Sequence, residues 1–107
     1  MEKIAFITGA NRGIGFETSK KLGEMGIKVI LGSRDVNKGK KAVEELSSLG
    51  VEAESIQYDA FDLKAPKKIF NYINDKYKKL DILINNAGVL LSGNLFVTNS
   101  STVSDKD

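Results

Sequence analysis

The chain contains no cysteine, which removes disulfides, thiolate metal sites and cysteine nucleophiles at once. It contains no histidine either, which excludes a Ser-His-Asp triad and most zinc-site geometries. Any chemistry must therefore run on Asp, Glu, Lys, Tyr, Ser or a bound cofactor, and no metal site is expected. No apolar run approaches the roughly 18 residues needed to cross a bilayer. The apolar run after Met1-Glu2-Lys3 is too short for a signal peptide. A cytoplasmic chain without a membrane partner is expected. Charge of one sign is also missing in any excess. The 16 basic and 14 acidic residues leave a net +2, too little to argue for a nucleic-acid partner.

What is present is the balance of a soluble globular domain, 41% hydrophobic and 28% charged over 107 residues. That length allows a single small domain, which buries only about two thirds of its unfolded surface. Ile4-Ala5-Phe6-Ile7, Val29-Ile30-Leu31 and Ile82-Leu83-Ile84 are continuously apolar, as strands are when both faces of a sheet are covered. Val51 to Tyr58 alternates and is more polar, which suits a strand nearer a sheet edge.

Helical periodicity fills the gaps. Ile14, Thr18, Leu22 and Met25 share one face of a helix ending before Gly26. Val36, Val43, Leu46 and Leu49 mark a second helix, with Lys40/Glu44 and Lys41/Glu45 as outward i,i+4 pairs, and Gly50 ends it. A third runs from about Leu63 to Lys79 with Ile69, Phe70, Ile73 and Tyr77 inward. The single proline, Pro66, falls in its first turn, where a missing N–H costs little. The order β-α-β-α-β-α-β implies parallel strands joined by right-handed crossovers. Residues 1–88 form this unit, and 89–107 read as a polar, irregular tail.

The first strand leads directly into Thr8-Gly9-Ala10-Asn11-Arg12-Gly13-Ile14-Gly15. A glycine cluster can be an ordinary turn. Between a strand and a helix, however, glycines let the chain turn sharply, let the backbone approach a pyrophosphate, and let the helix pack close to the strand. The phosphates then meet a helix N-terminus, where free N–H groups and the helix dipole favour negative charge. Dinucleotide binding is the favoured reading.

Thr8-Gly9-x-x-x-Gly13-x-Gly15 resembles the cofactor motif of the short-chain dehydrogenase/reductase family, and Asn85-Asn86-Ala87-Gly88 resembles that family's second signature. Asp59, after the third strand, matches the family residue that contacts adenine. Arg34-Asp35-Val36-x-Lys38-Gly39 with Ala42-Val43 is similar to the carbonyl-reductase branch. The resemblance covers the chain apart from its polar tail. It implies an α/β fold: a Rossmann-type doubly wound parallel sheet, cut to about four strands in order 3-2-1-4. The first two crossover helices should cover one face and the third the other. Ile82-Leu83-Ile84 should then be a bare apolar edge through which the chain self-associates. The cofactor-binding residues implied are Gly9, Asn11, Arg12, Gly13, Ile14, Gly15, Arg34, Asp59, Ala60, Asn86, Ala87 and Gly88, with a structural role for Asn85.

The second strand ends Leu31-Gly32-Ser33-Arg34, without the carboxylate that accepts from a ribose 2′-hydroxyl in NAD-selective sites. Arg34 and Arg12 suit a dianionic 2′-phosphate, which guanidiniums bind bidentately. NADP(H) is favoured over NAD(H), although Asp35 follows only one residue later.

The family's carbonyl-polarising Ser, its Tyr-x-x-x-Lys acid pair and a supporting Asn all follow the Asn-Asn-Ala-Gly signature. They are not found before the last residue, Asp107. Tyr72-Ile73-Asn74-Asp75-Lys76 spells Tyr-x-x-x-Lys but precedes Asn85, and reads as ordinary helix packing and solvation. No catalytic residue is therefore expected within the chain. The expected function is the NADP(H)-binding portion of a reductase or alcohol dehydrogenase, incompetent alone, whose full-length form takes a small carbonyl or alcohol substrate. The alternatives are a dinucleotide-binding module without chemistry and a protein-interaction module.

Overall fold

The computed structural model describes residues 2–10 and 13–86, together with the backbone of a strand at 97–99. The elements in chain order are β1 (Ile4–Thr8), α1 (Gly13–Glu24), β2 (Lys28–Ser33), α2 (Val36–Ser48), β3 (Ala53–Gln57), α3 (Ala65–Tyr77), β4 (Ile82–Asn85) and β5 (Val97–Asn99). All strand pairs are parallel, and the sheet runs β3-β2-β1-β4-β5. The expected order 3-2-1-4 is therefore present.

One expectation is corrected at the end of that series. Ile82–Asn85 is not a bare edge, because β5 pairs beside it with Leu83 opposite Val97 and Asn85 opposite Asn99. The pairing residues lie in the stretch without clear periodicity, where three residues are too few for a period to register. Among the described residues, no helix is long and apolar enough to cross a membrane.

Apolar strand residues divide by parity between two cores, as a period of two requires. Ile4, Phe6, Ile30 and Leu83 point to the face covered by α3, where they meet Ala65, Ile69 and Ile73. Ile7, Val29 and Leu31 point the other way, to Ala42 and Leu46 of α2, with Phe16 and Leu22 of α1 packed alongside. The helices thus cover the faces as the right-handed crossovers dictate. Phe6 sits at the centre, paired with Ile30 on one side and Leu83 on the other, and is fully buried. Burying a side chain of this kind contributes about 1.5–3 kcal/mol.

The helix faces differ from the periodic expectation at their ends. Ile14 and Met25 are 63% and 72% exposed, and α1 instead buries Gly15 and Ser19. Small residues let that helix lie close to the sheet, and the buried Ser19 hydroxyl is satisfied by donating to the Gly15 carbonyl at 2.8 Å. On α2 the buried positions are Gly39, Ala42 and Leu46, while Val36 and Leu49 are half exposed at its two ends.

Candidate functional site: the carboxyl ends of the strands

The parallel strands deliver their C-terminal residues to one end of the sheet, and hydrogen bonds tie the ends of β1, β2 and β4 together. Thr8, the last residue of β1, is buried and acts from both sides of its hydroxyl. It donates to Asn85 Oδ1 at 3.0 Å and accepts the Asn86 backbone N–H at 2.8 Å. The Asn86 side-chain amide donates in turn to the Gly9 carbonyl at 3.2 Å. Gly9 N–H donates to the Gly32 carbonyl at 2.9 Å, which joins the turn to β2. The end of β4, the glycine turn and the end of β2 are one hydrogen-bonded assembly.

The glycines are needed here for two different reasons. Gly9 and Gly13 have φ of 61° and 63°, a region that L side chains rarely adopt. Gly15 is required by space, since a Cβ there would lie 2.5 Å from the Gly9 carbonyl oxygen and 2.7 Å from Asn86 Nδ2. The first turn of α1 therefore rests directly on the backbone of the glycine turn. It contains no acidic residue, so its positive end is not offset by a neighbouring carboxylate of its own.

Of the residues singled out from sequence, the structure gathers Gly9, Gly13, Gly15 and Asn86 around this junction, with Ile14 exposed on the first turn of α1. Asn85 is buried and bonded to Thr8. Arg34 follows β2 directly, exposed and without an ion pair among the described residues. Asp59 and Ala60 follow β3, both half-buried, and Asp59 Oδ1 accepts the Phe61 N–H at 2.9 Å, which shapes the loop before α3. Beside it is a cavity of about 340 Å³ lined by Gln57, Asp59, Asp62, Ala65, Lys68 and Ile69. Asn11, Arg12, Ala87 and Gly88 lie outside the described residues.

Two residues gained a role that their sequence context did not single out. Thr8 was legible only as the first letter of a motif, yet it joins β1 to β4. Asp35 stands one residue beyond Arg34, where its carboxylate could have faced a ribose. It instead caps α2, with Oδ1 accepting the N–H groups of Asn37 at 2.9 Å and Lys38 at 3.1 Å. An aspartate immediately before a periodic apolar helix is the available signal for that role.

The Tyr72/Lys76 pair belongs to the opposite end of the sheet. Lys76 Nζ donates to the Tyr72 hydroxyl at 3.2 Å, but both groups also bond Glu54, near the start of β3. Tyr72 donates to Glu54 at 2.6 Å, Tyr77 donates to the other carboxylate oxygen, and Lys28 lies 3.8 Å away. Burial pushes the Glu54 carboxyl upward, yet the hydrogen bonds from Tyr72, Tyr77 and Lys76 outweigh it and hold the group below the usual carboxylate range. The cluster fastens α3 to β3 and β2.

A family model described as short chain dehydrogenase matches residues 3–106. The chain belongs to the short-chain dehydrogenase family. Short-chain dehydrogenase/reductase 1 of Saponaria officinalis is 40% identical over 91 residues, covering 82% of this chain and 30% of its own length. Carbonyl reductase (NADPH) 1 of Sus scrofa is 35% identical over 88 residues, covering 81% of this chain and 30% of its own. A metagenomic short-chain oxidoreductase solved in complex with NADP is similar in structure, with a TM-score of 0.76 and 38% identity over 81% of this chain and 39% of that one. The chain thus spans about 30% of the length of these curated relatives.

Proposed function

We propose that this chain binds NADP(H) at the carboxyl ends of β1, β2 and β4, as the cofactor-binding portion of an oxidoreductase. The whole protein would transfer hydride between NADPH and a carbonyl or alcohol substrate. The observation that carries this reading is the junction of Gly9, Gly15 and Asn86. There a helix N-terminus meets a turn so closely that a single Cβ at Gly15 would collide with it. A glycine-lined cradle opening onto a helix N-terminus fits a pyrophosphate.

The remaining groups agree with that ligand. Gly13 and Gly15 leave the pyrophosphate side open to the backbone, Asn86 holds the turn in shape, and Asp59 stands at the end of β3 where the resemblance puts adenine. Arg34, exposed and not engaged by a carboxylate among the described residues, suits the 2′-phosphate that distinguishes NADP(H) from NAD(H). The similar oxidoreductase solved with NADP and the carbonyl reductase named for NADPH support the same choice. Bound NADPH would supply the hydride, while Gly13, Gly15, Asn86 and Arg34 would position it and pair its phosphates.

By itself this stretch would not turn over. The Tyr–Lys pair it does contain is engaged with Glu54 near the start of β3, away from the proposed cofactor. The reading is tested by titrating the full chain with NADPH and NADH, following the nicotinamide fluorescence, and then by an NADPH-oxidation assay with carbonyl substrates. Saturable NADPH binding stronger than NADH binding is expected, without turnover. Arg34→Ala should weaken NADPH about tenfold or more and leave NADH nearly unchanged. A folded protein that binds neither dinucleotide would end this reading.

A further inference from the structure

We propose that Asp35 is a positioning residue for cofactor selection: it fixes the corner that presents Arg34, and it does so as a helix cap, not as a ligand of the ribose. The inference rests on the NADP(H) reading of the same site. A carboxylate one residue from the selecting arginine could act in three ways. It could accept from the ribose hydroxyls and favour NAD(H), it could neutralise Arg34, or it could serve the backbone.

The geometry points to the third. Asp35 is extended (φ −99°, ψ 116°), and its Oδ1 receives the N–H groups of Asn37 and Lys38 at 2.9 and 3.1 Å. No ion pair joins it to Arg34 among the described residues. The corner is held from other directions as well. The Ser33 hydroxyl donates to the Asp35 carbonyl at 2.9 Å, and the Gln57 side-chain amide donates to the Arg34 carbonyl at 3.4 Å. Both backbone carbonyls flanking the turn are thus tied down, while the Arg34 side chain is left exposed. Such a cation loses little further backbone freedom on meeting a phosphate.

Three substitutions separate capping from charge, read as the ratio of the NADH to the NADPH dissociation constant in the full chain. Asp35→Ser keeps an oxygen for the cap and removes the charge, so the preference for NADPH should be unchanged or larger, with NADH affinity unaltered. Asp35→Ala removes the cap and should weaken NADPH more than NADH, by about threefold to tenfold. Asp35→Glu keeps the charge on a side chain that caps poorly and reaches further, and should lower the ratio by about tenfold.

The proposal is overturned if Asp35→Ser weakens NADH about tenfold, which would make the carboxylate a ribose ligand. It is equally overturned if Asp35→Ser loses the preference for NADPH, or if Asp35→Glu and Asp35→Ala both behave as the unsubstituted chain. Failure of the underlying reading looks different: the unsubstituted chain itself would bind neither dinucleotide.

Discussion

The side-chain amide of Asn86 donates to the carbonyl of Gly9 at 3.2 Å, so the residue that follows β4 braces the turn that follows β1. Replacing it with alanine removes one hydrogen bond and leaves the backbone N–H bond to Thr8 in place. Asn86→Ala should cost about 0.5–1.5 kcal/mol of stability, visible as a drop of several degrees in Tm. NADPH affinity should fall with it, because the turn that meets the pyrophosphate is no longer held. Calorimetry on the variant, with and without NADPH, checks both.

Gly15→Ala should be worse. Its Cβ would meet the Gly9 carbonyl oxygen at 2.5 Å and the Cα of Ala10 at 2.9 Å, and backbone cannot swing aside as a flexible side chain can. Overpacking of this kind costs about 1–3 kcal/mol, and it pushes α1 away from the turn. Loss of NADPH binding in a variant that remains folded by circular dichroism is the expected result.

The Glu54 cluster makes stability depend on pH. Its folded carboxyl lies below the ordinary glutamate range, so its contribution is whole above that range and is lost as pH falls through the lower folded value. Glu54→Gln should therefore be less stable than the unsubstituted chain at neutral pH. The gap should close on acidification below about pH 4.5, where protonation removes the same charge. Thermal melts of both proteins from pH 7 to pH 3 would show the two curves converging.

Tyr58 presents the opposite case. Its ring is buried edge-on against Phe6 at a centroid distance of 5.5 Å, but its hydroxyl has no hydrogen-bond partner among the described residues. Burial, with the nearby charge of Asp62, pushes this phenol upward. Tyr58→Phe keeps the ring and removes the unpaired oxygen, so it should raise stability by about 1 kcal/mol or leave it unchanged. Chemical denaturation measures the difference.

Much of this was legible in the residues. The continuous apolar runs at Ile4–Ile7, Val29–Leu31 and Ile82–Ile84 mark strands covered on both faces, and the intervening helices follow from their periodicity. What the pattern missed has physical causes. The helix α1 packs through Gly15 and Ser19, which no apolar stripe can reveal, so Ile14 and Met25 were expected inside and are exposed. β5 pairs through backbone groups over three residues, too few to show alternation. At the site, the glycines and Asn86 were evident from their motifs, but the bonding of Thr8 and the capping by Asp35 depend on where side chains turn once the backbone is fixed.

Amide NMR spectra of the full chain during addition of NADPH would locate the ligand residue by residue. Shifts should concentrate at Gly9, Gly13, Gly15, Arg34 and Asn86, with Lys28, Glu54 and Tyr72 at the other end of the sheet unmoved. A folded chain whose spectrum does not change, or whose shifts cluster around Glu54 and Tyr72, would contradict the assignment of the cofactor to the carboxyl ends of the strands.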